Sequence, residues 1–181
     1  KCVMCSPHDS SKWVADWKKL VPQLEDESVK QQLTWDKKQF NNKWHERKEF
    51  WDELYAQVPN LKQVYFAGGE PLMIKEHKTF LEEIVRQGYE QNILLRYNSN
   101  GILVDKELIK LWSKFKKVKF AISIDSYKER DEYIRYPTKF SEVESTLRLL
   151  DDTPDNIHIS IATAVQIFNI KTIPDFIKWK V

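Results

Sequence analysis

Long apolar runs are missing from this chain. No stretch approaches the roughly 20 residues of a membrane-spanning helix, and the first residues lack the pattern of a signal peptide. Cysteine is nearly absent as well. Its two copies, Cys2 and Cys5, both fall near the start, which excludes a disulfide framework and makes a reducing cytoplasm the simplest setting. Neither sign of charge dominates. The 29 basic side chains set against 27 acidic ones leave +2, so composition gives a nucleic-acid partner no support. Internal repeats and low-complexity linkers are also lacking, which leaves no sign of a solenoid or tandem array.

What is there is an ordinary soluble composition, 41% hydrophobic and 31% charged. The 181 residues suffice for one well-filled domain and are too few for two. Tryptophan is abundant, and five of the seven copies lie between Trp13 and Trp51. The chain opens on Lys1-Cys2 without an initiator methionine or a leading strand, and it ends at Val181 directly after an amphipathic pattern. The expectation is an excerpt from a longer protein.

The chain is organised around Val64-Tyr65-Phe66-Ala67-Gly68-Gly69-Glu70-Pro71. Four residues of strand character run into two glycines, an acid and a proline. The glycines leave bare backbone against which a ligand can lie. Glu70 then stands at the carboxyl end of a strand, where α/β proteins bind ligands. Pro71 fixes its own φ and biases Glu70 toward extended backbone, so Glu70 is an acceptor suited to an amino group. A plain strand-to-helix turn explains the same residues.

Ahead of it, residues 1–11 read as an irregular loop. Its Cys2-x-x-Cys5 pair fits a redox motif, half a zinc site, part of an iron–sulfur loop, or two cysteines with no special role. A thioredoxin-like pair would precede a helix within a strand-flanked unit, a pattern not seen here. His8 reads as a loop residue rather than a ligand. Residues 12–58 read as a helical insert. Trp13, Trp17, Leu20, Val21 and Leu24 form one stripe, capped by Ser10 or Ser11. A second helix follows Asp36, with Phe40, Trp44, Trp51, Leu54 and Val58 on one face. These tryptophans read as core packing against a sheet in preference to a base-stacking surface.

Residues 59–181 alternate strands and helices. A helix carries His77, Phe80, Leu81, Ile84 and Val85 and closes at Gly88. Strand Ile93–Tyr97 ends in Asn98-Ser99-Asn100-Gly101, whose small polar residues make a turn and bring amides to the strand end that holds Glu70. After a helix from Asp105 to Phe115, strand Val118–Asp125 alternates Val118, Phe120, Ile122 and Ile124 with Lys119, Ala121, Ser123 and Asp125. The apolar set fits a helix-covered face, and Ser123 and Asp125 would point together into an interior mouth suited to a diol or an amine. Arg135 follows a short helix with Tyr133 and Ile134. A further helix starts from a Ser141 cap, strand Ile157–Val165 repeats the alternation, and a last helix spans Thr172–Trp179. His158, near the start of its strand, reads as a packing or surface residue. Strand and helix thus repeat four times at intervals of roughly 30 residues, which predicts a parallel sheet with the polar strand ends on one rim.

Together these residues resemble the radical S-adenosylmethionine enzymes. The resemblance rests on the ordered set Cys2-x-x-Cys5, Gly68-Gly69-Glu70-Pro71, Asn98-Ser99-Asn100-Gly101, Ser123-Ile124-Asp125-Ser126 and Arg135. Cys-Val-Met-Cys-Ser-Pro and Ser-Ile-Asp-Ser are most similar to members that carry a SPASM or twitch extension with auxiliary clusters. The resemblance implies an α/β fold, a partial parallel (β/α) barrel in one domain, 1–181, lacking its first and last strands, with the Trp-rich insert after the cysteine loop.

It further implies a [4Fe-4S] cluster on a Cys-x-x-x-Cys-x-x-Cys loop, with Cys2 and Cys5 as the second and third ligands and the first preceding Lys1. S-adenosylmethionine would place its amino group on Glu70 and the Gly68–Gly69 backbone, and its ribose on Ser123 and Asp125 with Asn98 and Asn100 alongside. Its carboxylate would meet Arg135, and its adenine the Met4 main chain and Val165. The family's glycine-rich adenine motif is not recognisable near Val165. The function implied is reductive cleavage of S-adenosylmethionine to a 5′-deoxyadenosyl radical that takes hydrogen from a peptide or another organic substrate, with an external electron donor. With two of three cysteines, this chain by itself is expected to lack cluster and activity, and its open sheet edges to favour self-association. Two other readings stand beside it: a non-catalytic nucleotide-binding module with a zinc site at the cysteine pair, and a family member that modifies RNA.

Overall fold

Four strands carry the fold: β1 (Gln63–Phe66), β2 (Leu94–Ser99), β3 (Lys117–Ser123) and β4 (Ile157–Ala162). They form one parallel sheet in the order β1-β2-β3-β4, as their spacing and intervening helices predict. The computed structural model describes residues 2–7, 9–32 and 44–180. His8 and the expected helix start after Asp36, Phe40 included, lie outside the described residues.

Alternation along the strands separates two faces. Leu95, Tyr97, Val118, Phe120, Ile122 and Ile157 turn inward and are buried. They share one core with Phe80, Leu81 and Ile84 of α4 (Lys75–Gln87), with Leu108, Leu111 and Trp112 of α5 (Lys106–Trp112), and with Val143, Leu147 and Leu150 of α7 (Phe140–Asp151). The opposite face carries Tyr65, Arg96, Asn98, Lys119 and His158, all exposed, with Ala121 and Ser123 half-buried. Helix α6 (Glu129–Ile134) follows β3, and α8 (Ile173–Lys180) follows β4.

The centre of the core is polar in one place. Trp112 Nε1–H donates to Tyr97 Oη at 3.1 Å, and Tyr97 Oη lies 2.9 Å from His77 Nε2. Burial alone pushes the His77 imidazole down to about 4. Another close fit lies where β2 ends. Gly101 has φ +80°, and a Cβ there would stand 2.5 Å from Ile122 Cδ1, so both conformation and space require glycine.

Local details depart from the periodicity in four places. Before α1 (Val14–Leu20) the chain makes one 3₁₀ turn, Ser11–Trp13, and the cap of α1 is Trp13, without a side-chain bond. Of the two expected caps, Ser10 contributes its carbonyl, which accepts the Trp13 N–H at 3.0 Å, and the Ser11 side chain lies outside what is described. α7 begins at Phe140, so Ser141 lies inside the helix, and the Glu142 carboxylate accepts the Lys139 N–H as a cap would. A separate short helix, α2 (Glu27–Gln32), stands between α1 and α3 (Lys48–Gln57). The described tryptophans of this region are not core residues; Trp35 lies outside the described residues. Trp13 and Trp17 are half-buried, Trp44 is 43% exposed, and only Trp51 reaches the core edge, against Phe80 at 6.0 Å. The fully buried indole is Trp112, because its N–H has a partner there.

Candidate functional site

At the carboxyl ends of the strands a cavity of about 450 Å³ opens. Each wall comes from a different element. The cysteine loop contributes Cys2 and Cys5, the β1 turn Gly68, Gly69 and Glu70, and β2 with its turn Asn98, Ser99 and Asn100. β3 supplies Ser123, and the end of α6 supplies Arg135.

The cysteine loop is held by its backbone. Cys5 N–H donates to the Cys2 carbonyl at 3.0 Å, and Val3 N–H donates to the Ile134 carbonyl at 2.8 Å, which hangs the loop on the end of α6. Trp13 Nε1–H reaches the Cys2 carbonyl at 3.1 Å, so this half-buried indole braces the loop. Both thiols are free and half-buried. Burial pushes the Cys2 thiol up, and the positive charge of Arg135 pulls it partly back. Among the described residues, no third His, Cys, Asp or Glu joins the pair in a metal-binding group.

Gly68 and Gly69 both have left-handed φ, +84° and +51°, and a Cβ on either would meet nothing within 4 Å. Their bare backbone therefore faces open cavity, as expected of a ligand-facing turn. Glu70 is more constrained than its sequence suggests. Its Oε1 accepts Ser99 Oγ–H at 2.7 Å and Leu72 N–H at 3.2 Å, while Oε2 accepts Asn100 N–H at 2.8 Å. The carboxylate thus staples the end of β1 to the end of β2, and still borders the cavity with acceptor capacity to spare. The Asn100 side chain closes its own turn by accepting Ile102 N–H at 3.0 Å.

Asp125 behaves differently from Ser123. Ser123 lines the cavity, whereas Asp125 is fully buried and does not. Its Oδ1 accepts Ala164 N–H at 2.7 Å, and its Oδ2 lies 2.8 Å from Arg135 Nε. That contact is an ion pair without an aligned hydrogen bond, since neither atom has a hydrogen-bond partner. The expectation that Ser123 and Asp125 point together into the mouth is therefore corrected. β3 ends at Ser123, and the backbone turns there, so alternation no longer governs residue 125.

Asp131, which periodicity did not single out, makes that turn. Its Oδ1 accepts the N–H groups of Asp125 at 2.8 Å and Ser126 at 3.0 Å. Burial raises its carboxyl above the usual range, with those two bonds and Arg135 opposing. Asn169 completes the knot by donating Nδ2–H to the carbonyls of Asp125 and Ala164. The available signal was an acid four residues before Arg135 on a short helix, a spacing that puts both on one face. Met4 is 41% exposed and Val165 is 65% exposed beyond the end of β4, and neither lines the cavity.

No described helix is long and apolar enough to cross a membrane. A family model described as Radical SAM superfamily matches residues 1–179. No curated protein matches the chain.

Proposed function

The chain belongs to the Radical SAM superfamily, and from that premise we propose that its cavity holds S-adenosylmethionine beside a [4Fe-4S] cluster ligated by Cys2 and Cys5. One observation carries the reading. Two free thiols open on the same cavity as a bare glycine backbone, a carboxylate, a serine hydroxyl and a guanidinium. Soft thiolates are the donors an iron–sulfur cluster takes, so Cys2 and Cys5 fit as two of its ligands. When bound, the cluster supplies the electron that cleaves S-adenosylmethionine into methionine and a 5′-deoxyadenosyl radical.

The chain's own residues do the positioning. Glu70 and the Gly68–Gly69 backbone receive the methionyl amino group, with Glu70 fixed by Ser99 and Asn100 before any ligand arrives. Arg135 spends its Nε on Asp125 and keeps its terminal amino groups for the carboxylate. Ser123 meets the ribose, with Asn98 and Asn100 along the same wall. Met4 and Val165 stay outside this assignment. The substrate is a peptide or another organic molecule that loses a hydrogen atom, and an external donor provides the electron.

We assign the chain to the branch with a SPASM or twitch extension, which Cys-Val-Met-Cys-Ser-Pro and Ser-Ile-Asp-Ser support. Iron beyond one cluster's worth in the complete protein tests that branch. Two free cysteines support a reducing compartment, the cytoplasm. Among the described residues β1 pairs only with β2 and β4 only with β3, so each leaves an edge for self-association. The decisive experiment is anaerobic incubation of the complete, cluster-loaded protein with S-adenosylmethionine and dithionite. Accumulation of 5′-deoxyadenosine is expected, and its absence from fully loaded protein would overturn the proposal.

A further inference from the structure

The register of the sheet places Tyr65, Arg96, Lys119 and His158 side by side, one from each strand. All four are exposed, while their neighbours Leu95, Tyr97, Val118, Phe120 and Ile157 are buried on the helix side. Among the described residues, the row therefore lies on the face that no helix covers. Asn98, two residues beyond Arg96, and Ser123, four beyond Lys119, belong to the same face by strand parity and line the cavity. At strand rise, Lys119 sits about 13 Å from Ser123.

Two features separate this row from a merely solvated surface. Arg96 and Lys119 are in register on adjacent strands, about 4.8 Å apart at the backbone, where like charges repel. Among the described residues neither has an acidic partner, although the chain carries almost as many acids as bases. Arg96 instead lies over the Tyr65 ring, 5.4 Å from its centroid, which stiffens its guanidinium. Between this row and the cavity the face narrows to small side chains, Asn98 paired with Ala121 in register. On these two strands no large side chain therefore stands between the two cations and the cavity.

We infer that this face binds the acidic end of the substrate, a carboxylate or a phosphate held by Arg96 and Lys119, with the body of the molecule over Ala121 and its reacting carbon at the rim. The inference rests on the cavity being the cofactor site, and it narrows the substrate to an organic anion. Arg96 supplies a planar fork for two oxygens and Lys119 a point charge. His158 adds an imidazole at the end of the row.

The test uses inorganic phosphate and succinate as separate probes, titrated into the complete protein and followed by amide chemical shifts. Saturable shifts confined to Arg96, Lys119 and Ala121 are expected, and the stronger of the two probes identifies the oxyanion. Arg96→Gln or Lys119→Gln should each weaken that binding about five- to tenfold, as for loss of one charge-assisted contact, without lowering thermal stability. Shifts absent with both probes would overturn the inference. So would an adventitious ion only, seen as unsaturating shifts shared with Lys106 and Lys110, or shifts indifferent to both substitutions. S-adenosylmethionine binding, measured separately in the same preparations, reports on the cofactor site. Its failure with anion binding intact would sink the cofactor reading alone.

Discussion

Asp125 Oδ2 lies 2.8 Å from Arg135 Nε, with the aspartate wholly closed to solvent and the arginine side chain 15% exposed toward the cavity. Asp125 therefore anchors and Arg135 presents. Breaking a buried pair leaves a charge without compensation, so Asp125→Ala should lower stability by about 3–5 kcal/mol in urea unfolding. Ser123→Ala removes a half-buried hydroxyl at the cavity and should stay within about 0.5 kcal/mol of the parent. Equal losses from the two would contradict the separate roles given to them.

Asp131 holds the turn that carries Asp125, the partner of Arg135, so under the proposed function it reaches the cofactor only through that arginine. Asp131→Asn should weaken S-adenosylmethionine binding by the cluster-loaded protein about tenfold, the worth of one bond to a charged group. In an Arg135→Ala background the same change should add nothing. Additive losses in this cycle would show that Asp131 works by another route.

His77 makes stability depend on pH. Its folded value of about 4 lies below the ordinary 6.5. As pH falls, the unfolded chain takes up the proton first. The stabilisation is therefore complete above about 6.5 and lost as pH drops toward 4, by up to about 3 kcal/mol. Urea midpoints measured between those limits should fall steeply in the parent and less steeply in His77→Gln.

Gly101 and Ile122 are fitted to each other. Gly101→Ala puts a methyl group against Ile122 in a left-handed backbone, at an expected cost of about 2–4 kcal/mol. Ile122→Ala removes both Cδ1 and Cγ1, which stand 2.5 and 2.6 Å from that methyl, so the double variant should lose less than the sum of the two single changes. Thermal unfolding of the four proteins decides it.

Cys2 and Cys5 offer two thiolates, and no third described His, Cys, Asp or Glu joins them. Anaerobic reconstitution of residues 1–181 alone should therefore give well under one [4Fe-4S] cluster per chain. Cys2→Ser should reduce the iron further. A full complement of iron and sulfide in this chain would show that two cysteines suffice.

Much of this was readable from residue order, because it depends on periodicity and on local backbone chemistry. Val118, Phe120 and Ile122 announced a strand with one covered face, His77, Phe80, Leu81 and Ile84 a helix on that face, and Gly88 its end. The turn residues Gly68, Gly69, Asn98 and Asn100 marked the rim, since turns need small or polar side chains whatever they bind. Partners far apart in sequence were not readable. Nothing local says that Glu70 accepts from Ser99 and Asn100, or that Asp125 belongs to Arg135 and Ala164.

By itself, then, the order of residues determined four strands, their parallel pairing and the strand ends that carry the polar groups, because alternation and helix stripes are properties of neighbouring residues. Only the tertiary structure decided which polar groups are spent on one another and which stay free for a ligand. A carboxylate's availability depends on the donors that folding brings within 3 Å, and here those donors are backbone N–H groups in the turns just past β2, β3 and β4.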